Sequence, residues 1–285
     1  MNRISKTIAM TAVAGSVCLS SVANAAYVRV EVTSLFDQGG LAITPVWMGF
    51  HDGSFDSFNA GAAASASVQA LAENGDTSGV SGDFAAAQAN GVQGTLLATG
   101  GMAPVFEPGE SAESGVFKLD AVDNAYFSFL SMLIPTNDAF IGNDNAMAYS
   151  LFDGMGNFQE LDILVLGSQV WDSGTEKNTG YGAPFLMGAD ALPREDENGL
   201  IGFHQGLDVL PGGLAIIGGT TATGYTIDEM AADFTQQGFE VARIQIRDVP
   251  EPAAFGVLAL SGLGLIALRT RKNGRRRDGS SKSLS

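Results

Sequence analysis

Hydrophobic and polar residues alternate with a period of two in two segments that bracket the middle of the chain. The first is residues 27–33 (YVRVEVT) and the second is residues 241–247 (VARIQIR). Because successive side chains of a strand point to opposite faces of a sheet, each segment predicts a strand with one buried face and one solvated face. Apolar stretches separated by turns rich in Gly, Asp and Asn predict further strands at residues 41–50, 115–119, 125–134, 146–152 and 161–166.

Two alanine-rich segments, residues 60–73 and 84–89, lie in one long excursion between predicted strands. Alanine has the highest helix propensity, so both segments predict short helices. Runs of strands joined by turns, without a regular alternation of strand and helix, favour an antiparallel fold over a parallel one. The pattern therefore predicts an all-β antiparallel β-sandwich with short helical insertions over residues 26–248.

Residues 1–25 have the features of a secretory signal peptide. Arg3 and Lys6 precede an apolar core at residues 8–19, and Ala23-Asn24-Ala25 is a cleavage site of small residues. About a dozen apolar residues are too few to span a bilayer. The single cysteine, Cys18, lies in this segment, so disulfides, thiolate metal sites and cysteine nucleophiles are excluded from the remainder of the chain.

The other end, residues 249–285, has three parts in order. A Pro-Glu-Pro motif at residues 250–252 precedes an apolar stretch at residues 253–268 and a basic tail at residues 269–277. Sixteen helical residues reach about 24 Å, close to the thickness of a bilayer core, so they predict a single transmembrane helix with the tail in the cytoplasm. A buried core helix is the alternative.

This C-terminal arrangement resembles a PEP-CTERM sorting signal. The resemblance implies processing by an exosortase-type enzyme, transient anchoring in the inner membrane and delivery to the cell surface or the extracellular matrix. It also implies an association with exopolysaccharide and biofilm systems.

Charge is distributed unevenly along the chain. Residues 26–252 contain 30 acidic and 6 basic residues, a net charge of −24, whereas the whole chain carries −16. Nucleic acid and anionic lipid would be repelled by such a domain, so cations are its natural small partners. Acidity alone is more often a means of solubility than a binding site.

Several segments together resemble the spondin N-terminal domain in its bacterial exported form. They include residues 41–56 (LAITPVWMGFHDGSFD), 140–145 (FIGNDN), 152–158 (FDGMGNF) and 170–176 (VWDSGTE), within a match over about residues 26–206. The resemblance implies a β-sandwich related to C2 domains, a role in secreted matrix or adhesion, and a bound calcium ion. The family's metal site corresponds to Asp138 in Pro135-Thr-Asn-Asp138 and to Asp172 and Glu176 in Asp172-Ser-Gly-Thr-Glu176. The last acid is Glu where the family pattern has Asp, so its reach differs by one methylene.

The chemistry of these loops agrees with calcium. The ion takes 6 to 8 oxygen ligands from carboxylates, carbonyls and water. Residues 135–145 (PTNDAFIGNDN) contain no lysine, arginine or histidine, and Gly174 would allow a tight turn in the second loop. Asn137, Asn143 and Asp144 are open candidates for the remaining ligands. The alternative is that these acids only cap turns, as Asp and Asn do routinely.

Other candidate sites are weaker. The acidic run at residues 195–199 lacks the spacing of an EF-hand loop and is interpreted as a solvated loop. His51 and His204 are the only histidines and form no metal-binding pair in sequence, so a hydrogen-bonded histidine at the rim of a strand is the favoured interpretation of His51. The aromatic residues Trp47, Phe50, Phe55 and Phe58 could stack on a sugar, but they are more typical of a core.

The leading hypothesis is an exported, non-catalytic, calcium-binding surface or matrix module that contacts extracellular polysaccharide or a surface protein. A polysaccharide hydrolase with paired carboxylates is the alternative from another class. A structural matrix protein without a ligand is the third possibility.

Overall fold

The computed structural model describes residues 25–251. The predicted signal peptide (except its last residue), transmembrane helix and basic tail lie outside the described residues. The strands are β1 (Ala26–Ser34), β2 (Ala42–Ile43), β3 (Val46–His51), β4 (Val92–Leu96), β5 (Ser111–Glu113), β6 (Phe117–Leu119), β7 (Tyr126–Ile134), β8 (Ala139–Gly142), β9 (Tyr149–Ser150), β10 (Leu161–Leu166), β11 (Val170–Asp172), β12 (Gly202–Phe203) and β13 (Glu240–Asp248). The helices are α1 (Ala66–Asn74), α2 (Ser78–Ala87) and α3 (Glu229–Ala232), with 3₁₀ turns at Gly167–Gln169 and Ala189–Ala191.

The strands form two antiparallel sheets. One has the order β10-β13-β1-β5, with β6 also paired to β1. The other has the order β12-β11-β8-β7-β3-β4, with β2 and β9 also paired to β7. The prediction of an antiparallel all-β fold with few helices is therefore confirmed.

The main core contains apolar side chains from both sheets. In β1, Val28, Val30 and Val32 are buried, and the residues between them are half-buried, as the period of two predicts. The eight-stranded sheet contributes Phe50 and Phe127, among others, to the same cluster. Burial of this apolar surface is the main favourable contribution to folding.

A second core covers the opposite face of the eight-stranded sheet. Trp47 and Leu130 of that sheet pack in one cluster with Val68 and Leu71 of α1 and Phe84 of α2. Since both faces of the sheet are covered, all six residues of β3 are buried, and its sequence is continuously apolar from Val46 to Phe50 instead of alternating.

The helical insertion begins and ends at identifiable signals. The Ser65 hydroxyl accepts a hydrogen bond from the Val68 N–H at the start of α1, and the helix ends at Gly75, which has φ +68°. The predicted helices at residues 60–73 and 84–89 exist but are displaced along the chain. In the second case the helix begins six residues earlier, at Ser78.

One predicted strand, residues 146–152, begins as a turn. Tyr149–Ser150 then pairs with β7, and Phe152 forms an isolated bridge with Phe158. The Asn145 side chain accepts a hydrogen bond from the Met147 N–H, and the Asn145 carbonyl accepts one from Ala148. These bonds close a turn at the start of the segment, as Asn side chains commonly do. The paired segment therefore begins only after that turn, at Tyr149.

The two ends of the described chain meet in the five-stranded sheet. Val28 pairs with Asp248, and the Val249 N–H donates to the Tyr27 carbonyl at 2.7 Å. Backbone pairing thus continues to Val249, the residue that precedes the Pro-Glu-Pro motif. Helices long and apolar enough to cross a membrane are absent from residues 25–251.

Candidate cation site

Two loops that are remote in sequence lie side by side at one end of the eight-stranded sheet. Strands β8 and β11 are antiparallel neighbours, with Asp172 opposite Ala139. Asp138 immediately precedes β8, and residues 173–176 immediately follow β11. The Ser173 N–H donates to the Asp138 carbonyl at 3.2 Å, so the pairing of the strands places the two loops in contact.

The carboxylate of Asp138 is fully buried and used on one side only. Its Oδ2 atom accepts hydrogen bonds from the Ser173 hydroxyl at 2.8 Å, the Thr175 N–H at 2.9 Å and the Glu176 N–H at 3.1 Å. Its Oδ1 atom is buried and has no hydrogen-bond partner. A buried oxygen without a partner is costly in a folded protein and requires an explanation.

Asp138 also faces a second carboxylate. The pKa of Asp138 is raised to about 6, first by burial and then by the negative charge of Asp172, which together outweigh the hydrogen bonds from Glu176, Ser173 and Thr175. The two acids therefore repel one another in the absence of a positive charge between them.

Asp172 caps its own loop and contacts a buried histidine. Its Oδ1 atom accepts from the Gly174 N–H at 2.7 Å, and its Oδ2 atom accepts from the Asn178 amide at 3.0 Å. The His204 Nε2 atom lies 4.0 Å from Asp172 Oδ2. Because the Gly206 N–H donates to His204 Nδ1, the neutral ring carries its proton on Nε2, and Nε2 therefore faces the site as a donor. Burial lowers the pKa of His204, although the charge of Asp172 opposes this.

Glu176, the third predicted ligand, is saturated by other partners. Its Oε1 atom accepts from the Arg194 guanidinium at 3.0 Å, and its Oε2 atom accepts from the Asn137 amide at 3.3 Å. The side chain is only 2 % exposed. Burial raises the pKa of Glu176 to about 7 and Glu73 also raises it, whereas Arg194 and Asn137 oppose the shift.

The loop after β11 has a backbone that only glycine tolerates at its centre. Gly174 has φ +68°, and a Cβ there would lie 2.7 Å from the Leu200 nitrogen. On its outer side the loop pairs with the acidic run that the sequence indicated as a solvated loop. Glu176 forms an antiparallel bridge with Asp196, and the Lys177 N–H donates to the Glu195 carbonyl at 2.8 Å. The run is therefore solvated on one side and strand-paired on the other.

The other oxygen-bearing candidates of the first loop have structural roles. The side-chain Oδ1 atom of Asn137 accepts a hydrogen bond from the Gly180 N–H at 2.8 Å. The Asn143 side chain bonds to the Phe129 N–H and the Ser128 hydroxyl. Asn143 and Asp144 follow β8 at the end opposite Asp138, so β8 separates them from the site. Ser173, Thr175 and Arg194 were missed by sequence reasoning, since nothing in their local sequence marks them.

The residues present match a calcium site in part. The charge of Asp172 acts on Asp138, and Asp138 Oδ1 is a buried acceptor without a donor. Within residues 25–251, however, no group of three or more histidine, aspartate or glutamate side chains is arranged to hold a metal ion. The Glu176 carboxylate, directed to Arg194 and Asn137, is the main departure from the three-acid arrangement.

The remaining candidates are part of the core. His51 is fully buried, its Nε2 atom is 3.0 Å from the Ser128 hydroxyl, and its Nδ1 atom accepts from the Gly53 N–H. It is therefore an interior residue and not a residue of the rim. The four aromatic side chains Trp47, Phe50, Phe55 and Phe58 are all buried, so they cannot stack on a sugar at the surface.

Comparison with known families assigns two regions of the chain. Residues 42–191 match the Spondin_N family, which is more than half of the chain. Residues 248–277 match the PEP-CTERM protein-sorting motif, which implies processing by exosortase-type sorting machinery. No curated protein matches the chain. The two assignments confirm the predicted combination and identify an exported, surface-targeted protein. The chain belongs to the Spondin_N family.

Proposed function

We propose that this chain is an exported, non-catalytic surface or matrix module that binds calcium at the loops of Asp138 and Asp172. The observation that carries the proposal is the Asp138 carboxylate. It is fully buried, leaves Oδ1 without a partner and faces the charge of Asp172.

A divalent cation would offset both costs at once. Carboxylate and carbonyl oxygens are the ligands that calcium prefers, and Asp138 Oδ1 together with the Asp172 carboxylate would provide the charged ones. When bound, calcium supplies the positive charge that the two acids lack. The protein's own part is to hold Asp138 in place through the donors of residues 173–176, so that its free oxygen keeps a fixed direction.

Burial of the acids favours binding over hydrolysis. A glycosidase needs two carboxyl groups that reach either side of a glycosidic bond. Asp138 is fully buried and Glu176 is 2 % exposed, so neither carboxylate can contact a polysaccharide in this conformation. The role in adhesion or matrix contact rests on the sorting motif and on the strongly acidic surface.

Calorimetric titration of the purified full-length chain with calcium tests the proposal, together with thermal melting in calcium and in chelator. We expect binding heat and a rise in melting temperature of about 5–10 °C at a calcium concentration 100 times the dissociation constant, because such a ligand stabilises by about 2.7 kcal/mol. Asp138→Asn should lose both effects.

Asp153→Asn is the matched control, because Asp153 caps an exposed turn remote from the site and should keep both effects. If the wild-type chain gives no binding heat and no shift in melting temperature, the calcium site is refuted and a structural matrix protein without a ligand is favoured. Sugar release from exopolysaccharide that is abolished by one carboxylate substitution would instead favour the hydrolase.

A further inference from the structure

Glu176 is the one predicted ligand that already has a cation. The Arg194 guanidinium contacts Glu176 Oε1 at 3.0 Å, and the Asn137 amide contacts Glu176 Oε2 at 3.3 Å. Both oxygens are thus occupied, in contrast to Asp138, whose Oδ1 atom is unpaired. Asp138 therefore has an oxygen available to coordinate a metal ion, whereas Glu176 would first have to give up an existing partner.

The position of Arg194 is built into the fold. The antiparallel bridge between Glu176 and Asp196 places the segment that contains Arg194 beside the loop that follows β11. The Arg194 side chain then lies across Gly182, where φ is +72° and a Cβ would collide with Arg194 Cγ. The same guanidinium donates to the Glu73 carbonyl at 3.3 Å and lies 3.9 Å from the Glu73 carboxylate, which attaches it to the end of α1.

Turning Glu176 towards a metal ion would break this pair. The pair is partly buried, with Glu176 2 % and Arg194 32 % exposed, and breaking it is unfavourable because the guanidinium loses its compensating charge. Arginine holds its charge at every physiological pH, so the competition does not relax under cellular conditions.

We propose that Arg194 is a built-in counter-ion that keeps Glu176 out of the ligand shell. The inference rests on the calcium site proposed above and narrows it to Asp138, Asp172 and uncharged oxygens. Arg194 then sets the affinity of the site, because it removes one carboxylate from coordination and adds a positive charge beside the ion. Fewer charged ligands give weaker calcium binding.

Four proteins distinguish the roles of the two residues: wild type, Arg194→Gln, Glu176→Gln and the double variant. Calcium affinity is measured by calorimetry on each full-length chain. We expect Arg194→Gln to bind calcium at least tenfold more tightly than wild type, because Glu176 becomes free to coordinate. The double variant removes the pair without changing the net charge, and it should stay within about threefold of wild type.

Melting in chelator supplies the control for folding. Each single variant should melt below wild type, because Arg194→Gln leaves the buried Glu176 without its partner and Glu176→Gln leaves the half-buried Arg194 without its partner. The double variant should recover part of the loss. The double variant also keeps the test valid if a single variant fails to fold.

A double variant that binds calcium more than tenfold more weakly than wild type would overturn the inference, since Glu176 would then be a ligand. No gain in affinity for Arg194→Gln would also overturn it. Binding by Arg194→Gln without any binding by wild type would refute the proposed function of the natural chain and support the inference. Calcium binding by wild type that is lost in the double variant would support the proposed function and refute the inference about Arg194.

Discussion

Replacing Asp138 by asparagine should stabilise the calcium-free protein at pH 8, although the substitution changes a fully buried polar residue. The Oδ2 atom of Asp138 accepts four hydrogen bonds, and an asparagine carbonyl oxygen can accept the same four. The amide nitrogen then takes the position of Oδ1, which has no partner in the wild type. The substitution therefore removes a buried charge and preserves the hydrogen bonds.

The magnitude follows from the pKa of Asp138, which is raised from 3.8 to about 6. Since the folded state binds the proton more tightly than the unfolded state, stability is highest below the unfolded pKa. It falls as the pH rises from about 4 to about 6 and then stays constant. A shift of about two units corresponds to a loss of about 3 kcal/mol at pH 8.

Asparagine avoids this loss but leaves a buried donor unsatisfied, which costs about 1–3 kcal/mol. Since the wild-type Oδ1 atom is already unsatisfied, we expect a net gain of about 1–2 kcal/mol, or about 3–6 °C in melting temperature for a domain of this size. At pH 4 wild type regains most of the about 3 kcal/mol, so Asp138→Asn should then be less stable than wild type by about 1 kcal/mol.

Thermal melting of both proteins in chelator between pH 4 and pH 8 is the assay, with Asp153→Asn as the control. Asp153 is half-buried and its pKa is lowered by hydrogen bonds from Asn157, so that substitution should not stabilise the protein at pH 8. The raised pKa of Glu176 contributes a further decline up to about pH 7 that all three proteins share. The reasoning is refuted if calcium-free Asp138→Asn melts below wild type at pH 8 and keeps the full pH dependence.

Two further predictions concern the support of the site and the sorting motif. Gly182→Ala should destabilise the fold by about 1–3 kcal/mol and displace Arg194, whereas Gly188→Ala, also at positive φ but in open space, should destabilise it less. The difference between their melting temperatures in chelator measures the contact between residue 182 and Arg194. Equal losses would contradict the prediction. Inserting four flexible residues before Val249 should accelerate processing at the sorting motif about two- to tenfold, because the hydrogen bond from Val249 to the Tyr27 carbonyl no longer has to open. The ratio of precursor to processed protein in cells with the sorting enzyme measures the effect. An unchanged ratio would contradict the prediction.

The pattern of the sequence predicted the long strands because their burial repeats with the period of the strand. Residues 27–33 and 241–247 pair with each other in the five-stranded sheet, as β1 and β13. Short elements were not predictable in this way: β8 has four residues and β11 has three, too few to establish a period. Yet the pairing of these two strands is what brings the loop of Asp138 next to the loop that follows Asp172. The pattern of the sequence did not predict this pairing, and only the family resemblance pointed to these two loops together.

Counter-ions are harder to predict than acids. A sequence displays carboxylates directly, and 30 of them between residues 26 and 252 make a cation site easy to suggest. Which carboxylate is already neutralised depends on strand register and on glycine geometry, as the bridge at Asp196 and the positive φ of Gly182 demonstrate for Arg194. A one-residue slip of that bridge would move the guanidinium to the opposite face and leave Glu176 without it. With only six basic residues in the same stretch, the ion pair of one of them with the buried Glu176 is itself the strongest sign that this acid is compensated within the protein.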